Sequence, residues 1–240
     1  MPVLVLIPPR ARSVEPRPDS DECLDKNTLV FCGPSGCGKS TLISRLMADY
    51  PGRFGFSVSH TTRPPRAGEL NGVHYHFSDG TKMQMEVDAG LFLEHAIVHG
   101  NHYGTSFAAV DSVIQTGKIC ILDIDVQGVD AVKNSKLIDQ SRVVFVMLVP
   151  PNIAELEQRL RRRSTDSEEV IRTRVLRGME EIQWRHKKDY WDEVLENNNV
   201  DKCYEELTGV IKKYFKLTGS ACLGTLSAKK PMGLLAREAL

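Results

Sequence analysis

The stretch "TLVFCGPSGCGKST", from Thr28 to Thr41, decides the fold. A short apolar run comes first, a glycine-rich turn follows, and apolar residues at helical spacing continue the chain beyond it. Gly33, Gly38 and Lys39 have the spacing of a P-loop, a motif that requires a strand before it and a helix after it. A glycine-rich turn that matches by chance is the competing interpretation, but both flanking elements are present. We therefore predict a phosphate-binding loop.

The chemistry of this loop follows from its residue types. Glycines allow backbone N–H groups to turn inward and form a nest for phosphate oxygens. The helix that follows adds the partial positive charge of its N-terminus. In such a loop Lys39 meets the β- and γ-phosphates of a nucleotide, and the Ser40 hydroxyl is a ligand of Mg²⁺. Cys37 fills a position that accepts any residue, so we do not expect a nucleophile there.

Composition narrows the class of protein. A chain of 240 residues with 41% hydrophobic and 26% charged residues is typical of a globular protein with one substantial domain. The formal net charge of zero argues against a protein that coats nucleic acid, and no apolar run has the length of a membrane span. The six cysteines lack paired metal-ligand spacing, so we expect reduced thiols and a cytoplasmic location. We expect a monomer with neither nucleic acid nor a membrane as partner.

The chain divides into a central part and two ends. Residues 1–26 are rich in proline and charge, so we expect a disordered N-terminal extension, while the structure of the tail over 217–240 stays open. Between them, uninterrupted apolar strands such as "ICIL" and "VVFVMLV" alternate with helices, which indicates an α/β fold with a parallel sheet flanked by helices. Residues 60–107 break this alternation and favour an inserted, strand-rich unit of antiparallel or mixed β structure.

Two acidic residues follow one of the apolar strands. Asp123 comes at the carboxyl end of "ICILD", where ligands of open α/β sheets bind. Strand periodicity puts Asp125 on the same face. We expect one of these two carboxylates to serve the metal region, directly or through a water, and the other to serve a substrate. Capping of the next helix is the alternative role, and it competes more strongly for Asp125.

The segment "AELEQRLRRRSTDSEEVIRTRV" (154–175) is dense in arginine. Arg159 and Arg163 are four residues apart and share a helical face, and Arg174 lies one to two turns into the next helix. A solvated basic helix, a nucleic-acid patch and a phosphoryl-transfer lid are the three interpretations. The nucleic-acid patch is the weakest, because acidic residues are mixed in and no aromatics are interleaved. We favour the lid, since arginine stabilises the charge that spreads over a transferring phosphoryl group.

Five segments together resemble the guanylate kinase family: "GPSGCGKSTL", "FGFSVSHTTRPPRAGELNGVHYHF", "GNHYGTS", "CILDIDVQGV" and "RLRRRSTDSEEVIRTR". The second is the most specific, because many nucleotide-binding proteins share the P-loop. The resemblance covers roughly residues 27–215 and implies phosphoryl transfer from ATP to GMP with Mg²⁺, in purine nucleotide metabolism; dGMP stays open as a second acceptor. It also implies one domain over 27–216 with three parts. These are a P-loop NTPase-type core (27–58, 108–150 and 170–216), a GMP-binding insert (59–107) and a small helical lid (151–169).

The same resemblance implies site residues, position by position. For ATP these are Gly33, Pro34, Ser35, Gly36, Cys37, Gly38, Lys39, Ser40, Thr41 and Asn197. For GMP they are Ser59, Arg63, Arg66, Tyr75, Glu94, Tyr103, Thr105 and Asp125. For phosphoryl transfer they are Lys39, Arg63, Arg159, Arg163 and Arg174, and for the metal Ser40 and Asp123. The chain departs from the family pattern at His60, His102 and Ser164, and none of these departures removes a group that the chemistry needs.

The guanine base sets requirements that two of these residues can meet. The Ser59 hydroxyl can donate to O6, and the Glu94 carboxylate can accept from N1–H and N2–H, whereas adenine would face that carboxylate with a lone pair. From the pattern alone, an exposed strand position is an equal alternative for Glu94. Because a phosphate monoester is mostly a dianion at neutral pH, we expect no catalytic histidine. We expect strand and loop surface positions for His60, His74, His76, His95, His99 and His102.

Arg63 and Arg66 bracket two adjacent prolines. A polyproline-like segment repeats every three residues, so both arginines should project from one side and reach one phosphate. Taken alone, the segment is as compatible with a solvated surface loop.

Two other functions also compete with a guanylate kinase. One is a non-catalytic scaffold module, against which the intact P-loop argues. The other is a P-loop kinase for a different acceptor, which would not need the pair of Ser59 and Glu94.

Overall fold

The computed structural model describes residues 26–66, 68–98, 100–162 and 167–217. The strands of its core sheet are β1 (Thr28–Cys32), β2 (Phe54–Phe56), β7 (Ile119–Asp123), β8 (Val143–Val149) and β9 (Glu193–Glu196). They lie in the order β2-β7-β1-β8-β9, and every neighbouring pair is parallel. The P-loop strand is therefore central, and the carboxyl ends of its neighbours lie at the same edge of the sheet.

A second sheet of four strands carries the predicted insert. Its strands are β3 (His60–Thr61), β4 (His76–Phe77), β5 (Phe92–Val98) and β6 (Asn101–Ser106), in the order β4-β3-β6-β5. The β3–β4 pair is parallel and the other two pairs are antiparallel, so the sheet is mixed.

One helix inside the insert was not predicted from the sequence. The helix α2 (Gly80–Asp88) follows Asp79, whose side chain accepts a hydrogen bond from the backbone N–H of Lys82 at 2.8 Å. Its only fully covered side chain, Met83, packs inward, so the apolar period was too sparse to indicate a helix. The capping aspartate was the available signal.

The remaining helices cover the core sheet or lie in and next to the segment for which a lid is predicted. They are α1 (Lys39–Asp49), α3 (Phe107–Ile114), α4 (Val126–Asn134), α5 (Ile153–Arg162), α6 (Glu168–Gln183) and α7 (Val200–Phe215). Short 3₁₀ turns occur at Gln140–Arg142 and Trp184–His186.

The central strand is covered on both faces. Leu29 and Phe31 pack in one cluster with α1 and α7, whereas Val30 and Cys32 pack in the other with α3 and α4. All residues of β1 and β8 are buried, which explains why their sequences are uninterrupted apolar runs. The predicted α/β fold, with a parallel sheet flanked by helices and a mixed inserted sheet, is confirmed.

Several predictions fall outside the described residues. These are the N-terminal extension up to residue 25, the tail from residue 218, the lid residue Arg163 and the surface position expected for His99. The domain boundaries therefore stay predictions. Within the described part, Cys32, Cys37, Cys120 and Cys203 are buried and have free thiols. None of the helices in that part combines the length and the hydropathy needed to cross a membrane.

Candidate active site

The P-loop connects β1 to α1 through a turn that only glycine permits. Gly33 has φ of 142°, and a Cβ there would lie 2.0 Å from the carbonyl oxygen of Leu148. Gly38 has φ of 105°, and a Cβ there would lie 2.3 Å from Nδ2 of Asn197. The loop is thus pressed against β8 on one side and against the end of β9 on the other, which fixes its backbone N–H groups in place.

Lys39 lies over the carbonyl groups of its own loop. Its Nζ donates to the carbonyl oxygen of Gly33, lies 3.5 Å from that of Pro34, and is 3.7 Å from the Asp123 carboxylate. Burial by itself lowers the pKa of Lys39, but Asp123 and weaker anionic neighbours outweigh burial, so the net pKa lies above the usual value. The ammonium is therefore a permanent cation at the loop, held by weak partners that a phosphate can replace.

A single cavity of about 90 Å³ connects the P-loop to the insert. From the core it is lined by the P-loop residues Gly33, Pro34, Ser35, Gly36, Gly38, Lys39 and Ser40 and by Asp123, Ile124, Asp125 and Glu181. From the insert it is lined by Ser59, Tyr75, Glu94, Ala96, Tyr103 and Gly104. Residues that the resemblance implies for two different nucleotides thus meet in one space.

Glu94 is buried, with 9% of its surface exposed, so the alternative of an exposed strand position is wrong. Burial raises the pKa of Glu94 to about 7; hydrogen bonds from Thr105 oppose the rise and the nearby Asp125 charge adds to it. The Thr105 hydroxyl also lies 3.3 Å from that of Ser59. Thr105 therefore links the Ser59 hydroxyl to the Glu94 carboxylate. We call these three residues the base-side group, because the hydroxyl of Ser59 and the carboxylate of Glu94 are the groups predicted to bind the guanine base.

Asp125 fulfils the helix-capping alternative and still faces the cavity. Its side chain accepts a hydrogen bond from the backbone N–H of Gly128 at 2.8 Å and caps α4. It also lines the space shared with Glu94. The cap fixes the carboxylate at the edge of the base-side group, so both roles are compatible.

Arg63 and Arg66, the two arginines predicted to reach one phosphate, are held by a residue that the sequence pattern did not single out. The Arg63 guanidinium donates to both oxygens of Glu69, at 3.0 and 2.9 Å, and to the carbonyl oxygen of Pro64 at 2.7 Å. The backbone N–H of Arg66 donates to the same carboxylate at 2.6 Å. Neither arginine lines the shared cavity; Arg63 lines a neighbouring one with the two prolines. Its guanidinium lies 5.5 Å from the ring of Tyr75, which does line the shared cavity.

Two arginines of the arginine-rich segment contact the P-loop. Nη2 of Arg159 donates to the carbonyl oxygen of Asn197 at 2.8 Å, and Nη1 lies 3.5 Å from that of Cys37. Nη1 of Arg174 donates to the Ser35 hydroxyl at 3.2 Å. Arg159 and Arg174 thus reach the phosphate loop from α5 and α6. The third predicted arginine of this set lies outside the described residues.

Asn197 follows β9 and is buried against the loop. Its Nδ2 donates to the carbonyl oxygen of Cys37 at 2.8 Å, whereas its buried Oδ1 has no hydrogen-bond partner. A buried acceptor without a donor is costly unless a ligand supplies one.

The Cys37 side chain itself lies in the hydrophobic core, so only its backbone can meet a phosphate. Thr41 is exposed on α1 and does not line the cavity.

The histidines contribute no side chain to the shared cavity among the described residues. The expectation of surface positions is wrong for His74, which is 7% exposed and whose Nδ1 accepts a hydrogen bond from the Leu70 N–H at 3.0 Å. His60 is half-buried: burial, with His76 and Lys82, lowers its pKa to about 4. His95 and His102 contact each other at 2.9 Å on the insert sheet.

The donor set at the end of β7 fits Mg²⁺. The Ser40 hydroxyl and the Asp123 carboxylate line the same cavity at the start of α1, and both are hard oxygen ligands. Within the described ranges, no group of three or more histidine, cysteine or acidic side chains converges as a metal site. Few protein ligands are what Mg²⁺ requires when it is bound mainly by nucleotide phosphates and water.

Comparisons with known proteins agree with this geometry. A family profile described as "Guanylate kinase" matches residues 25–214. "Guanylate kinase 1" of Oryza sativa subsp. japonica is 50% identical over 179 residues, which is 75% of this chain and 46% of that protein. "Guanylate kinase" of Homo sapiens is 43% identical over 188 residues, which is 78% of this chain and 93% of that protein. The chain therefore spans about half the length of the rice relative and most of the human one.

A solved structure gives the same result for the fold. The crystal structure of guanylate kinase from Anaplasma phagocytophilum superposes with a TM-score of 0.61 at 26% sequence identity, covering 81% of this chain and 88% of that one. The resemblance drawn from the five sequence segments is thereby confirmed. From the profile match and the sequence identity over three quarters of its length, the chain belongs to the guanylate kinase family.

Proposed function

We propose that this protein is a guanylate kinase that transfers the γ-phosphoryl group of ATP to GMP, with Mg²⁺, to give ADP and GDP. One observation carries the proposal: the P-loop with Lys39 and the group containing Ser59 and Glu94 open into the same cavity. A phosphoryl donor bound at the first and a guanine nucleotide bound at the second would have their phosphates facing each other without crossing solvent.

On the donor side, the P-loop N–H groups and Lys39 bind the ATP phosphates. Lys39 exchanges its weak contacts with Gly33 and Pro34 for phosphate oxygens, which are stronger partners because they are charged. Mg²⁺, when bound, neutralises charge on the phosphate oxygens, and Ser40 and Asp123 would hold it. The unpartnered Oδ1 of Asn197 suits the exocyclic amino group of adenine, which is a hydrogen-bond donor.

On the acceptor side, the base is selected by charge and hydrogen-bond polarity. The Ser59 hydroxyl donates to guanine O6, and the ionised Glu94 carboxylate accepts from N1–H and N2–H. Adenine presents a lone pair at N1 and has no N–H group at position 2, so the buried Glu94 carboxylate would face a like partner and lose both donors. A mismatch of that kind gives discrimination on the order of 10⁴–10⁵.

Phosphoryl transfer then depends on alignment and on charge neutralisation. The GMP phosphate is mostly a dianion at neutral pH and is already nucleophilic, so the chain supplies no general base. Arg63, Arg66 and Tyr75 position the acceptor phosphate. Arg159 and Arg174, which reach the P-loop from α5 and α6, stabilise the charge that develops on the transferred group. Contacts from α5 and α6 also exclude water from the phosphates.

Four finer points belong to this proposal. They are the requirement for Mg²⁺, a monomeric state, the absence of nucleic acid and membrane partners, and a cytoplasmic location. The neutral overall charge supports the exclusion of nucleic acid as a partner. A scaffold module is disfavoured, because such a module has no need of an intact P-loop with its lysine and serine.

The test is ADP formation from ATP and Mg²⁺ with each of GMP, AMP, CMP and UMP as acceptor. We expect turnover with GMP and at least about 10⁴-fold lower kcat/KM with AMP. Turnover with another acceptor and none with GMP would instead indicate a P-loop kinase of different specificity. No turnover with any acceptor, together with retained GMP binding, would indicate a non-catalytic module.

A further inference from the structure

One face of α6 lies along the P-loop and carries three residues spaced by one and two turns. Arg174 donates to the Ser35 hydroxyl at 3.2 Å. At Gly178, four residues later, an added Cβ would lie 3.3 Å from the Cβ of Pro34. Glu181, three residues further on, therefore shares this face, and its side chain lines the cavity that holds Lys39 and the strand-end acids.

The surroundings of Glu181 disfavour an ionised carboxylate. Burial raises its pKa; Lys39 opposes the rise, and Asp125 adds to it. Among the described residues, no hydrogen bond or ion pair holds the carboxylate. It also lies two residues before the end of α6, where the helix dipole disfavours a negative charge. Burial, the neighbouring Asp125 charge and the helix dipole thus each disfavour the ionised form of Glu181.

No structural role visible in the described part of the chain offsets these costs. Lys39 is the stronger of the two cations that favour the ionised form of Glu181, ahead of Arg177, but the ammonium makes its ion pair with Asp123 at 3.7 Å. A carboxylate on the wall of a phosphate cavity would also repel the nucleotide. A cation that carries hydrogen-bond donors, bound between the carboxylate and the phosphates, would give the carboxylate a partner and remove its repulsion of the nucleotide.

We propose that Glu181 is a positioning residue for the magnesium ion of the ATP complex and accepts a hydrogen bond from a water that the ion carries. Mg²⁺ gives up its water reluctantly and keeps several molecules when phosphates bind it, and each water needs an acceptor. Residues that bind such a water orient the direct ligands of the metal, and the loss of such a residue lowers the metal affinity about 10- to 100-fold. This role rests on the ATP-dependent activity proposed above.

The test separates metal binding from nucleotide binding in the full chain. Glu181→Gln keeps the size of the side chain and removes its charge, and Glu180→Gln is the matched control because Glu180 is exposed on the same helix. The affinity for ATP is measured by calorimetry in excess EDTA. The affinity of the ATP complex for Mn²⁺, as a paramagnetic substitute for Mg²⁺, is measured by electron paramagnetic resonance.

We expect Glu181→Gln to lower the Mn²⁺ affinity of the ATP complex about tenfold. ATP binding in EDTA should stay unchanged or become tighter, because a negative charge has left the cavity. Glu181→Asp keeps the charge but shortens the reach, so it should lose Mn²⁺ affinity while binding metal-free ATP like the wild type. Glu180→Gln should match the wild type in both measurements.

Three results would overturn the proposal. They are an unchanged Mn²⁺ affinity in Glu181→Gln, a loss of metal-free ATP binding as large as the loss with metal, and an equal effect of Glu180→Gln. The second result would mean that Glu181 acts through Lys39 or through the fold. Failure of the wild type to phosphorylate GMP would contradict the proposed function, but both binding measurements would still decide the role of Glu181.

Discussion

Glu69 binds both ends of the Arg63 guanidinium, with Nη1···Oε2 at 3.0 Å and Nη2···Oε1 at 2.9 Å. The same carboxylate takes the backbone N–H of Arg66 at 2.6 Å. A single acidic side chain thus fixes one proposed phosphate ligand by its side chain and the other by its backbone. The buried Nε of Arg63 has no hydrogen-bond partner, so the guanidinium retains donor capacity.

Glu69→Gln should weaken binding of the GMP phosphate. The amide keeps one acceptor but loses the charge-assisted fork, and we expect the Kd for GMP to rise about 10- to 100-fold. The Kd for guanosine, which has no phosphate, should stay within about twofold because the base-side group is not touched. Calorimetry with both ligands checks this, and an equal loss for guanosine would point to a general loss of structure instead.

Lys39→Ala should abolish turnover without preventing GMP binding. The ammonium is the charge that would meet the transferred phosphoryl group, so we expect kcat to fall by about 10³-fold or more. Coupled-assay kinetics measure kcat, and calorimetry measures GMP affinity. Lys136→Ala, at an exposed position beyond α4, is the control and should behave like the wild type. Near-normal turnover in Lys39→Ala would contradict the role of the P-loop.

The affinity for guanosine should depend on the ionisation of Glu94. Because its pKa lies at about 7 and only the carboxylate accepts from both N1–H and N2–H, binding should be strong above pH 7 and weaken as the pH falls below it. Guanosine is the right probe because it lacks a phosphate that would itself titrate near pH 6. Glu94→Gln should remove the dependence along with most of the affinity. A flat profile in the wild type would contradict the assignment.

Glu94 should also make the free energy of unfolding depend on pH. Its pKa is raised in the folded state, so the folded protein binds more protons than the unfolded chain between about pH 4.5 and pH 7. Its contribution to stability is therefore present below this window and declines as the pH rises through it. Above pH 7, Glu94→Gln should be more stable than the wild type by up to about 3 kcal/mol. Urea unfolding at pH 5 and pH 8 measures the difference.

Gly128→Ala should weaken guanine binding by crowding Ile124 beside Glu94. A Cβ at this position would lie 3.4 Å from both Cγ and Oε2 of Glu94 and 3.0 Å from Cβ of Ile124. Ile124 must shift by a few tenths of an ångström, while the new Cβ fills the space against Glu94, and we expect the Kd for guanosine to rise about fivefold with ATP binding unchanged. Gly209→Ala in α7 is the matched control, since a Cβ there meets nothing within 4 Å. That variant should gain up to about 1 kcal/mol of stability and keep its guanosine affinity.

The fold was predictable wherever local pattern and burial agree. β1, β7 and β8 are buried on both faces, and their apolar sequences indicate this directly. The P-loop was equally clear because its glycines and lysine are adjacent in the chain. The helix α2 was missed because only one of its side chains is fully buried.

The base-side group could not be predicted from local sequence pattern, because its members come from segments far apart in the chain. Ser59 and Thr105 are 46 residues apart, and Glu94 is buried only because β5 pairs with β6 and α4 covers it. The resemblance to the family supplied this grouping, whereas the chain pattern left Glu94 undecided. Glu69 was missed for a different reason: its partners are only three and six residues away, but a glutamate in a polar turn is usually solvated.

The shared cavity has a consequence for inhibitor design. The P-loop and the base-side group open into one space. If ATP and GMP bind as proposed, a single molecule that joins adenosine to guanosine through a polyphosphate chain would span both sites. Its second end binds at the high effective concentration that the linker creates, so its affinity can exceed that of either nucleotide by about 10²–10⁴ when the linker length matches the span. The linker length that binds best would then measure, in solution, the separation of the two nucleosides.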